Sequence, residues 1–108
     1  MTEGVPNRQG FDFFYGYNCQ RQAHTYYPTH LWENENRDLL DNKMVAPHLK
    51  LAENADPNNS ASYIDFQLKE YAPDMAHQEA LGFLDENKSN AFFLYYASPL
   101  PHLPLQAP

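Results

Sequence analysis

The chain has 108 residues, enough for one small domain. It is 43% hydrophobic and 15% aromatic, which excludes a disordered acidic tail. With 7 Lys and Arg against 14 Asp and Glu, its formal net charge of -7 argues against nucleic-acid or anionic-membrane binding, which need concentrated positive charge. An anionic small substrate stays compatible, because one local cation or metal outweighs the global sign. The one cysteine, Cys19, rules out an internal disulfide framework and leaves the compartment open. No apolar run approaches the roughly 20 residues of a membrane helix. The start, MTEGVPNRQG, lacks the pattern of a signal peptide. A periplasmic or secreted parent would carry its signal elsewhere.

Residues 1–10 read as loop, broken by Gly4, Pro6 and Gly10. GFDFFYGYN, residues 10–18, reads as a short strand or an aromatic plug. THLWENENRDLLDN, residues 29–42, places two short apolar pieces around polar ENEN and predicts a β-hairpin. Residues 43–62 read as irregular, with ENADPNNSAS a surface loop. A helix is predicted to begin near Asp65 or Pro73 and to close at Asn87–Asn90. Pro73 suits its first turn and Asp74 its positive dipole end. Ala76, Ala80, Leu81 and Leu84 share one face of it.

AFFLYYA, residues 91–97, does not alternate. Such a run predicts a strand buried on both faces, as in a parallel sheet flanked by helices. SPLPHLPLQAP, residues 98–108, would then be the loop at its C-terminal end, where α/β sheets collect ligands. Its prolines would hold His102 in place at low entropy cost. The expected class is α/β, with one buried strand after a helix beside a hairpin- and loop-rich aromatic region. The strand's parallel neighbours are not visible, so the chain reads as an internal piece of a larger domain that would expose apolar surface alone.

GFDFFYGY, AHTYYP, HLWEN, and FFLYYASPLPHLPLQAP occur in that order. This series resembles the sulfatase family of the alkaline-phosphatase-like superfamily, over residues 10–108, with the middle weakest. The resemblance implies a partial sulfatase domain, residues 1–108 being an incomplete internal segment, and hydrolysis of sulfuric esters by the parent. It implies that His102 contacts the sulfate and donates a proton to the leaving group. It also implies that His24, with Tyr26 and Tyr27, lies near the substrate pocket. The parent would use calcium and formylglycine; this segment supplies neither. The formylglycine motif C/S-x-P-x-R is missing, since Cys19 is followed by QRQA. The acidic calcium ligands and active-site lysines are missing too, so the segment alone is expected to be inactive. Its partners would be a sulfated small molecule or carbohydrate and the remainder of the domain.

Blander readings stand beside these. Cys19 reads as a semi-buried thiol and Asp12 as a turn cap rather than a calcium ligand. Trp32, Tyr26 and Tyr27 suit packing as well as a sugar or aryl ring. His24 and His30, six apart, match no helical metal pair, and His48 and His77 read as surface or satisfied polar residues. Asn58-Asn59-Ser60 and Asn87-Lys88-Ser89 fit a glycosylation pattern that chance alone produces among ten asparagines. Two rival functions remain: a phosphoester or phosphonate hydrolase fragment of the same superfamily, and a non-enzymatic carbohydrate-binding module.

Overall fold

A computed structural model of the chain describes residues 3–46, 49–103 and 105–108. His48 lies outside the described residues. The architecture is mixed α/β: a three-stranded antiparallel sheet and one α-helix, joined by loops and short 3-10 turns. The strands are β1 (Tyr15–Gly16), β2 (His30–Glu33) and β3 (Asn36–Leu39), with β2 central. Trp32 pairs with Gly16 on one side and Arg37 on the other.

The predicted hairpin forms because Asn34 and Glu35 close a two-residue turn between β2 and β3. Asn34 takes φ +54°, a region that Asn tolerates better than most residues. Its side-chain oxygen accepts from Phe14 N at 3.0 Å and from Asn7 Nδ2 at 2.9 Å. One side chain thus ties the turn to the segment before β1. Asn34→Gly keeps the backbone freedom and loses both hydrogen bonds to the side-chain oxygen, which should cost about 1–2 kcal/mol. Asn34→Ala adds left-handed strain of about 1 kcal/mol and should melt lower still. Urea titrations of the two variants check this ranking; wild-type midpoints for both would remove the anchor.

Helix α1 runs Ala72–Asn87, with Pro73 in its first turn and Asp74 at its N-terminal end, as the local signals predict. Asp65 falls in a separate 3-10 stretch, Ser60–Phe66. Ala72 is buried against Leu31 and Leu40, and Met75, Tyr15 and Tyr17 pack around this core. The helix face is covered only near its start. Leu81 and Leu84 remain exposed.

The buried strand expected over residues 91–97 does not form. No strand is assigned there, and all seven residues are exposed, with Phe93 at 76% and Tyr95 at 71%. The reason is pairing. A strand needs at least one hydrogen-bonded neighbour, and one buried on both faces needs layers over both, whereas β1–β3 make a separate sheet elsewhere. Phe92 rests edge-on against Phe83 of α1, ring centroids 5.5 Å apart, and Phe93 approaches Phe11. These two contacts leave most of the apolar run in water.

The surface reflects this. The accessible area is 7846 Å², against about 6,200 Å² for a compact protein of this mass. The radius of gyration is 16.1 Å, against about 13 Å for a compact domain of similar length.

A candidate histidine site beneath the proline loop

The site is assembled by hydrogen bonds that tie the C-terminal loop to the AHTYYP segment and to Tyr71. Tyr26 and Tyr27 are both 2% exposed. The Tyr26 hydroxyl donates to His102 O at 2.6 Å, and the Tyr27 hydroxyl donates to Ala107 O at 2.6 Å. Tyr71, in the residue before α1, donates to Gln106 O at 2.9 Å and packs against both tyrosine rings. In return the buried Gln106 side chain accepts from Tyr26 N at 2.7 Å. Its Oε1 also lies 3.2 Å from Thr25 Oγ1, while its Nε2 is buried without a partner. Loop and segment therefore hold each other through one buried bond, Tyr26 N to Gln106, and three part-buried tyrosine hydroxyl bonds.

This lacing brings His24 and His102 together. His24 ends a 3-10 turn, Gln22–His24, that follows Cys19 and is closed by the Cys19 and Gln20 carbonyls. Its ring lies 5.4 Å from that of His102, at 78°. The two rings, with Gln20, Ala23, Ser98 and Pro99, line a recess of about 360 Å³. His102 N donates to Pro99 O at 3.0 Å, and the Leu100–Pro101 peptide is cis. His102 Nδ1 lies 2.5 Å from Leu103 O. A carbonyl only accepts, so Nδ1 carries the proton and Nε2 is the nitrogen left for exchange with a ligand.

A second, larger cleft of about 660 Å³ opens on the other side of His24. It runs over the hairpin, with Arg21, His30, Trp32 and Arg37 in its wall. Arg37 lies over the Trp32 ring, 5.4 Å from its centroid, and His30 meets the same ring edge-on. Burial, and then the nearby Arg37 charge, lower the pKa of His30 from its ordinary value.

The four residues singled out from the sequence thus take different parts. His24 and His102 face one recess. Tyr27 lines the larger cleft but commits its hydroxyl to the loop, and Tyr26 lines neither cavity. What the two tyrosines visibly do is position His102. Gln106, Arg21 and Arg37 escaped the sequence reading. For Gln106 a signal existed, its place in PLQAP; for the arginines there was none, since charge pairing is settled only in space. Cys19 is exposed rather than semi-buried, and His77 is exposed on α1. Among the described residues no group of three or more His, Cys, Asp or Glu side chains could hold a metal ion.

No family model matches the chain, and no curated protein matches it.

Proposed function

We propose that this chain is the part of a sulfatase-type hydrolase domain that presents an acid histidine, His102, to a sulfuric ester. The observation that carries the reading is the convergence of His24 and His102 from distant parts of the chain onto one recess. The ordered motifs supply the reaction class. The exposed apolar run at residues 91–97 supports a strand that becomes buried in an alkaline-phosphatase-like sheet contributed by the remainder of the domain.

In this reading Nε2 of His102 gives its proton to the bridging oxygen as the S–O bond breaks. An alkoxide is a poor leaving group, and a proton placed on it lowers the barrier. Nδ1–H stays bonded to Leu103 O, so the acid is the doubly protonated imidazolium, and giving up the Nε2 proton leaves the neutral Nδ1–H ring. Tyr26 and Gln106 hold the loop that carries it. Nucleophile and calcium belong to the parent, and no step through them is derived from these residues.

The test expresses the complete reading frame that contains this segment. Turnover of 4-nitrophenyl sulfate and 4-nitrophenyl phosphate is then compared. Sulfate hydrolysis is expected, with kcat on a simple alkyl sulfate falling by about 10²–10⁴-fold in His102→Ala and much less on the nitrophenyl ester, whose leaving group needs little protonation. The 108-residue chain alone should show no turnover. Preference for the phosphate ester would move the protein to phosphoester chemistry. Full activity of His102→Ala on the alkyl sulfate, or calcium-dependent turnover by the isolated chain, would overturn the proposal.

A further inference from the structure

The larger cleft points to a ligand. Four of the seven Lys and Arg side chains are spent in ion pairs: Arg8–Glu35, Lys43–Asp65, Lys69–Asp41 and Lys88–Asp85. Among the described residues, Arg21, Arg37 and Lys50 have no carboxylate within ion-pair distance. Two of these three wall the same cleft. In a chain with twice as many acids as bases, that is a local excess of positive charge where acids would be expected. Arg37 is also held in position by the Trp32 ring, so little entropy is lost when it meets an anion.

The cleft is too large for a bare oxyanion and has the size of small-molecule pockets. Its wall mixes neutral hydrogen-bonding groups, Asn18, Thr25 and Thr29, with the indole of Trp32. Hydroxyl-bearing rings with apolar faces match that mixture.

We propose that this cleft binds an acidic saccharide, with Arg21 and Arg37 taking its carboxylate or sulfate and Trp32 flanking its ring. The proposal rests on the hydrolase reading only for its orientation. His24 lines both the cleft and the His102 recess, so the saccharide would be the alcohol side of the ester. Binding itself requires no hydrolysis.

The experiment titrates the 108-residue chain with three probes at low salt: unsulfated chondroitin tetrasaccharide, its sulfated form, and neutral chitotetraose. Calorimetry and the fluorescence of Trp32, the one tryptophan, report binding. The acidic probes should bind, the neutral one should not, and the Arg21→Gln/Arg37→Gln double variant should weaken binding by about tenfold or more. Arg37→Lys should recover only part, because it restores charge without the planar fork. Both arginines are exposed and outside ion pairs, so circular dichroism of these variants should match wild type. Binding of the unsulfated probe assigns the carboxylate; binding of the sulfated probe alone assigns the ester sulfate. Equal binding of chitotetraose, or an unaffected double variant, would overturn the proposal. None of these outcomes depends on turnover, so the site and the hydrolase reading can fail separately.

Discussion

Gln106→Ala should lower stability by about 2 kcal/mol or more, because it leaves the buried Tyr26 N–H without an acceptor. The loss is larger than that of an exposed hydrogen bond because water cannot enter to replace the amide. The effect should be local as well as global. Amide exchange at Tyr26 should accelerate, and the His102 ring resonances should shift toward those of an unconstrained loop, since Tyr26 is what holds His102 O. Gln106→Glu is the companion variant. It keeps an acceptor for Tyr26 N but buries a carboxylate, so it should retain amide protection at Tyr26 while still losing stability. Unchanged melting in Gln106→Ala, with Tyr26 still protected, would mean that the loop is held by the tyrosine hydroxyls alone.

Alkali should unfold the chain in one cooperative step beginning above pH 10. Burial raises the pKa of Tyr15, Tyr17, Tyr26, Tyr27 and Tyr71 above the ordinary value, and at Tyr15 the Asp38 carboxylate raises it further. The unfolded chain releases these protons near pH 10, whereas the folded chain retains them. Above that pH the folded state binds more protons, so stability falls as pH rises. Each withheld ionisation costs at most about 1.4 kcal/mol per pH unit, less for the half-buried Tyr15, Tyr17 and Tyr71. Against a small domain's stability of about 5–15 kcal/mol, several such groups suffice within about two pH units. Tyrosinate absorbance and far-UV circular dichroism followed together provide the check. Coincident transitions are expected; gradual ionisation with intact secondary structure to pH 12 would contradict it.

The same tyrosines show where sequence reasoning reached and where it stopped. The hairpin was legible because ENEN interrupts two apolar pieces, and the helix because Pro73 and Asp74 mark its start. Both signals are local. Residues 91–97 carry an equally clear local signal for a strand, yet none forms, because a strand is defined by partners far along the chain or absent from it. Of the site, the sequence pointed to the proline loop and its one histidine, His102. The approach of His24 rested on a resemblance, and geometry now supplies its means: Tyr26, Tyr71 and Gln106 spanning between the segments. Arg21 and Arg37 were indistinguishable from ordinary surface cations until the ion pairs of the other basic residues could be assigned.

The exposed run at residues 91–97 bears on how the chain behaves at high concentration. AFFLYYA contains no charge, no proline and no glycine, the composition from which dry interdigitated fibril interfaces are built. Lys88 stands ahead of it and Pro99 just after it, in the places where gatekeeper residues interrupt the spread of cross-β pairing. Between these two stops lies a window of the six- to seven-residue length that such pairing uses. Copies of the chain would therefore assemble through this segment, and a charge introduced at Phe93 or Tyr95 would keep them apart while leaving the two histidines where they are.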